Sequence, residues 1–299
     1  MAREIIKEDI PKIKTLLQKV LSTNEYDNIS RMGGLTNHTY KVTLKNKKEY
    51  VVRIPGEGTE EIIVRNDEKV STELACSLGI DAPLLYFGED GSKVTEYIEN
   101  AITMSADSLK EPQRINQVAD IFKRLHSCGT DTKVPFEVFV MAASYEKVIE
   151  EKAVPMFDDY SQIKAQVMQI KGETDSAVAI KKVPCHNDSL CENWVLGGER
   201  MYLIDWEYAG MNDGMWDLAD VSIEAVYGKE EDKALLTAYL GKEPTVANQK
   251  HFLANKIYVD YLWTLWAKAR VPYDGQPMED WATERYTRLK GFINDYNNL

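Results

Sequence analysis

No stretch approaches the roughly eighteen consecutive apolar residues that a membrane-spanning helix needs. The N-terminal MAREIIKEDIPKIKTLL is charged and has no continuous apolar core, so no secretory leader is expected either. Cysteine is scarce and irregularly placed, at Cys76, Cys128, Cys185 and Cys191, with no C-x-x-C pair. That spacing argues against a zinc site or a disulfide framework and for reduced thiols in a cytoplasmic protein. Basic charge is in deficit: 36 Lys and Arg stand against 48 Asp and Glu, a formal net charge of -12. A basic face for nucleic acid or an anionic membrane is therefore disfavoured, while a cationic substrate is tolerated. What remains is a chain of 299 residues, 44% hydrophobic and 28% charged, ordinary for a folded protein and long enough for two lobes.

The chain is organised around residues 184–208, PCHNDSLCENWVLGGERMYLIDWEY. His186, Asn187 and Asp188 stand in a row, Asn193 follows Asp188 by five positions, and Asp205 and Glu207 close an apolar run. In the signature H-R-D-x-x-x-x-N the Asp accepts the proton of a substrate hydroxyl, while the Asn and a later Asp hold magnesium against a nucleotide's phosphates. Asp188 fits the base, and Asn193 and Asp205 fit the metal ligands. Residues 195–198 and 201–204 read as two strands joined at Gly197, Gly198 and Glu199, a hairpin that would fold Asp205 back towards Asp188.

The periodicity of Ile13, Leu16, Leu17, Val20 and Leu21 predicts an opening amphipathic helix ending near Ser22. A strand-rich region follows, with Gly33 and Gly34 between strands. The glycines suit either a plain turn or a cradle for phosphate, to which Thr36, Asn37 and Thr39 could add donors. Arg53, in the strand YVVRI, is either partly exposed or calls for an anionic partner. A nucleotide phosphate and Glu68, on a helix whose apolar face is Val70, Leu74 and Leu78, are the two candidates. Two strands about Glu89-Asp90-Gly91 lead to Glu96-Tyr97-Ile98, where backbone groups could meet an adenine edge. The polar segment 99–110 is the candidate lobe boundary.

Helices dominate beyond it: one over 115–126 ending at His126, a helix-like pattern over 144–169, one begun by Asp217 and carrying Glu224, and a long one over 245–269. His126 is read as structural, and His38 and His251 show no partner pattern. Trp263 and Trp266, three apart, share one helical face beside the anchoring stripe of Ile257, Tyr261 and Leu265. They are either core or one wall of a site for a quaternary ammonium ion, which aromatic faces attract by about 0.5 to 2 kcal/mol each.

Taken together, HNDSLCEN, IDWEYAG, WDLADVSIE and LWTLW resemble the choline/ethanolamine kinase family, within the wider aminoglycoside phosphotransferase and protein-kinase-like superfamily. The resemblance runs from about residue 28 to residue 292 and implies an α+β bilobal fold. A small β-rich nucleotide-binding lobe would cover residues 1–98 and a larger, mainly helical catalytic lobe residues 99–299. ATP and Mg2+ are the implied cofactors and choline the implied acceptor, with no nucleic-acid partner and a monomer or homodimer as the assembly. The family pattern implies that the segment from Gly33 to Thr39 covers the phosphates, Arg53 pairs with Glu68, and Asp188 with His186 and Asn187 forms the catalytic loop. It further implies that Asn193, Asp205 and Glu207 form the metal region, and that Tyr208, Glu224, Trp263, Trp266 and Tyr286 surround the ammonium group. Ethanolamine, an aminoglycoside or a sugar are the rival acceptors, and a non-catalytic choline-binding module is the rival class.

Overall fold

A computed structural model describes residues 4–32, 37–56 and 64–299. Gly33, Gly34 and Thr36 lie outside them, so the expected phosphate cradle is represented by Asn37 and Thr39 alone. Two compact units divide the chain, the first Met1–Met104 with Glu192–Ala209, the second Ser105–Cys191 with Gly210–Leu299.

In the first unit the opening apolar stripe forms helix α1 (Asp9–Leu21), ended by Ser22 in the left-handed region. Its Ile13, Leu16 and Leu17 join Tyr40, Val42, Leu44, Val52, Ile54 and Val94 in one core. Those sheet residues come from β2 (His38–Leu44), β3 (Glu49–Ile54) and β5 (Lys93–Glu96). With β1 (Tyr26–Arg31) and β4 (Leu84–Phe87) they make an antiparallel sheet of order β1-β2-β3-β5-β4. Alternation along β3 sends Val52 and Ile54 to the core and Arg53 to the opposite face, directly across from Thr39 of β2.

Helix α2 (Arg65–Ser77) departs from the expected pattern: it buries Glu68, Ser71, Thr72 and Ala75, while Val70 and Leu74 are only half-buried. The cause is electrostatic. Arg53 is 5% exposed, and a buried guanidinium needs a carboxylate, so the Glu68 face turns inward although it is the more polar one.

Asp81, just past α2, is also buried, with Oδ1 accepting the Ala82 N–H at 2.6 Å. Burial pushes its carboxyl up to about 6, Lys93 opposing and Asp205 adding to the rise. The folded state therefore holds this proton more tightly than the unfolded chain, whose Asp titrates at about 3.9. The stability contributed is complete below pH 4 and is lost as pH rises through 6, about 3 kcal/mol in all. Denaturant unfolding of Asp81→Asn should lack this decline, so its stability relative to wild type should grow by about 2 kcal/mol between pH 4 and 7. A gap independent of pH would refute the assignment.

The hairpin read from 195–204 is present as β8 (Trp194–Gly197) and β9 (Arg200–Leu203), turning at Gly198 with φ +62°. It adds to β6 (Ala101–Thr103), a strand that the polar composition of 99–110 did not suggest. Leu203 N–H donates to Ile80 O at 3.1 Å, which ties the hairpin to the chain after α2.

The second unit is built on helix α9 (Val246–Asp274), whose Thr245 cap forms a capping box with Asn248. Around it pack α5 (Val138–Glu151), α6 (Tyr160–Ala177), α7 (Gly214–Glu224) and α10 (Gln276–Asn297). The single pattern expected over 144–169 is thus two helices, separated by a turn at which Ala153 takes φ 51°. Helix α10 was not expected at all. Helices α3 (Ala106–Leu109), α4 (Pro112–His126) and α8 (Lys229–Leu240) complete the helical part, α4 and α8 packing on each other. Strands β7 (Lys182–Cys185) and β10 (Gly210–Asp213) pair antiparallel, Cys185 opposite Gly210, and carry the chain into and out of the central segment. Among the described residues no helix is long and apolar enough to cross a membrane.

Two of the histidines read as unpartnered have partners. His38 Nδ1 lies 2.7 Å from Asp9 Oδ2 and His251 Nε2 lies 2.5 Å from Asp213 Oδ2, both formed by residues distant in sequence. His126 is structural as expected, buried between Asp217 and Tyr239.

Candidate active site

The loop after β7 is held by one face of α7. Asp217 and Asp220, three apart on that helix, are buried, and their carboxylates accept backbone N–H groups from the loop. His186 N–H donates to Asp217 Oδ2 at 2.9 Å and Asn187 N–H to Asp217 Oδ1 at 2.8 Å, while Ser189 N–H donates to Asp220. His126 Nε2 approaches Asp217 Oδ2 at 3.0 Å from the other side. Asn187 takes a left-handed φ of 66°, which an asparagine tolerates better than most residues. Its carbonyl accepts Trp216 Nε1–H at 3.1 Å and its Oδ1 accepts from Asn212 at 2.9 Å.

His186 and Asn187 are fully buried, their backbone N–H groups held by Asp217. Asp188 is the half-buried carboxylate between them and Ser189. Burial pushes the Asp220 carboxyl well above the usual range, with Glu224 and Asp188 adding to the rise. Nothing in the spacing of WDLAD revealed that both aspartates bind backbone; Asp217 read equally well as a helix-terminal charge.

In the first unit Arg53 Nη1 meets Glu68 Oε1 at 2.5 Å, with Glu207 Oε1 at 3.4 Å and Asp205 Oδ1 at 3.9 Å. A second guanidinium, which the sequence reading missed, joins them: Arg65 Nη1 lies 2.7 Å from Glu68 Oε2 and 3.0 Å from Glu207 Oε1. Asn37 Nδ2 donates to the same Glu207 oxygen at 2.7 Å. Burial works against the Arg53 charge, but Glu68, Asp205 and Glu207 outweigh it and hold its pKa above the ordinary value. Burial likewise opposes the charge on Glu68, and Arg53 outweighs it. For Glu207 burial and the neighbouring Asp205 win, and its pKa is raised.

Carboxylate oxygens of Glu68, Asp205 and Glu207 lie within 4.8 Å of one another, a hard-oxygen set suited to a divalent cation. Glu68 and Glu207 are committed to the arginines, whereas Asp205, in the left-handed region at φ 70°, has a 46% exposed side chain. Asn193 closes the short turn before β8, and its carbonyl accepts the Ile204 N–H at 2.9 Å, so the hairpin brings Asn193 next to the residue preceding Asp205. Glu96 is exposed and Ile98 half-buried; the N–H groups of Glu96 and Tyr97 already donate to Pro83 O and Glu49 O. Tyr208 is half-buried and follows Glu207 in the first unit.

The aromatic residues of the second unit fall into two groups. Trp263 and Trp266 of α9 stand edge to face with centroids 6.1 Å apart, and Trp281 of α10 stands edge to face with Trp266 at 5.8 Å. Trp263 is 4% exposed, whereas Trp266 and Trp281 are half-buried. Tyr286 stacks on Phe157 at 3.9 Å and donates to Asp159 Oδ1 at 2.8 Å. Glu224, at the end of α7, is engaged by Arg285. Trp281 and Arg285 went unread because α10 did.

An antiparallel sheet with a buried arginine–glutamate pair, and a helical unit carrying the HND loop, define an α+β protein-kinase-like phosphotransferase. The choline kinase LicA from Streptococcus pneumoniae has this fold, with a TM-score of 0.82 and 31% identity, covering 97% of this chain and 100% of that one. A choline/ethanolamine kinase family protein from Mesorhizobium loti gives a TM-score of 0.84 at 30% identity, covering 95% and 94%. In sequence, Protein LicA of Haemophilus influenzae is 30% identical over 264 residues, 86% of this chain and 77% of its own length. Residues 29–270 match the choline/ethanolamine kinase family. The chain belongs to that family and is a small-molecule kinase.

Proposed function

We propose that the protein transfers the γ-phosphate of ATP to the hydroxyl of choline. The observation that carries the choice of acceptor is the run of three tryptophans, Trp263, Trp266 and Trp281, leading to the Arg285–Glu224 pair. An aminoglycoside carries several amines and calls for several free carboxylates; an aromatic wall suits one methylated ammonium instead.

Asp188 receives the choline hydroxyl and takes its proton as the oxygen attacks the γ-phosphorus. Arg53, fixed by Glu68, lies on the nucleotide side with Asn37 and Thr39. Asp205 and Asn193 would hold magnesium, which would supply charge neutralisation at the phosphates. Glu207, clamped by Arg53, Arg65 and Asn37, supports that region. Catalysis is mostly positioning, since phosphoryl transfer leaves the protein little covalent work.

Incubation with ATP, magnesium and choline, followed by mass analysis, should yield phosphocholine in step with ADP. ADP without phosphocholine contradicts the reading. Trp266, the more exposed member of the α9 pair, should respond separately from Trp263. Trp266→Ala should raise KM for choline about 2- to 30-fold with little change in kcat. Trp263→Ala should chiefly destabilise, by about 3 to 5 kcal/mol. An unchanged KM in Trp266→Ala would make both rings core.

A further inference from the structure

Arg285 is a buried cation packed on Trp281. Its side chain is 3% exposed; it donates to Glu224 Oε1 and, at 3.0 Å, to Asp260 Oδ1, and its guanidinium carbon lies 4.1 Å from the centroid of the Trp281 ring. Asp260 does not depend on it alone, because Arg288 reaches both Asp260 oxygens at 2.7 Å. The contact peculiar to Arg285 is therefore the one to Glu224, whose side chain is 16% exposed.

That contact changes what Glu224 can offer. A primary ammonium is compact and strongly hydrated, and on entering a site its three N–H groups must exchange water for acceptors at hydrogen-bond distance. A carboxylate already bound to a guanidinium has given up acceptor capacity and half of the pair is positive, so it repays that desolvation poorly. A quaternary ammonium has no donors. Its spread charge needs only aromatic faces and a modest field, which Trp266, Trp281 and the paired Glu224 provide.

We infer that Arg285, by occupying Glu224, sets the acceptor preference of the site: quaternary over primary ammonium. The inference rests on the choline-kinase reading above. Arg285 acts through Glu224 and Trp281 and is a positioning residue, so its signature is a ratio between substrates, which a purely structural role would not move.

The test measures kcat/KM for choline and for ethanolamine in wild type, Arg285→Met, Arg285→Lys and Glu224→Gln, with melting temperatures alongside. Arg285→Met, which frees Glu224, should move the ethanolamine-to-choline ratio about tenfold towards ethanolamine, and Arg285→Lys should stay near wild type. Should Arg285→Met fail to fold, Glu224→Gln decides the matter: the inference predicts that both substrates lose rate by similar factors. A ratio unmoved in folded Arg285→Met, or a selective collapse of ethanolamine in Glu224→Gln, overturns the inference while leaving the choline reading intact. Wild-type enzyme inactive on both alcohols overturns that reading instead.

Discussion

Asp188→Ala should lose turnover by about 10²- to 10⁴-fold, the range typical of a general base. The expectation depends on what the rest of the loop does. His186 and Asn187 are fully buried and Ser189 is tied through its N–H to Asp220, whereas Asp188 is the half-buried carboxylate of the HND segment. A melting temperature measured alongside separates loss of chemistry from loss of fold, since the loop is anchored on α7 through the His186 and Asn187 N–H groups. Steady-state ADP release in folded Asp188→Ala is the measurement; turnover within a few-fold of wild type removes Asp188 from the chemistry.

Asp217→Ala should show the opposite profile, a loss of stability that brings a loss of activity with it. Asp217 is 0% exposed and accepts the N–H groups of His186 and Asn187, with His126 at the same carboxylate. Its removal leaves two buried backbone donors and a histidine without their acceptor, each worth about 1 to 3 kcal/mol. A total near 3 kcal/mol corresponds to a fall in melting temperature of roughly 6 to 12 °C for a unit of this size. Asp217→Asn keeps one acceptor oxygen but sets an NH2 against the other donor, and should fall between. A thermal melt settles it: an Asp217→Ala variant as stable as wild type would mean that the loop does not rely on α7.

The contrast between these two aspartates marks where sequence reading succeeds. Strand alternation and helical stripes made α1, the sheet strands and the β8–β9 hairpin legible, because each buries apolar side chains at a regular period. Glu68 was one of two partners that the strand position of Arg53 left open, and the family pattern chose it. What failed followed from contacts without a period. Helix α2 buries its polar face to reach Arg53, against the pattern of its leucines. Arg65 with Glu207, Asp220 with the Ser189 N–H and Arg285 with Glu224 join residues far apart in sequence, and no local spacing announces such pairs. The expected helical pattern stopped at 269, whereas α9 runs through Pro272 to Asp274 before Gly275 turns the chain at φ 71° into α10. With α10 went Trp281 and Arg285, which pack against Trp266 and Glu224. Tyr286, taken from the family pattern, stacks on Phe157 and donates to Asp159.

The claim that matters most is the identity of the acceptor, and ADP release measured in parallel with choline, ethanolamine, kanamycin and no acceptor tests it most directly. The account predicts release that depends on choline, a weaker response to ethanolamine, and neither with kanamycin nor alone. Equal or greater release with ethanolamine or kanamycin, or choline binding without any release, would contradict it.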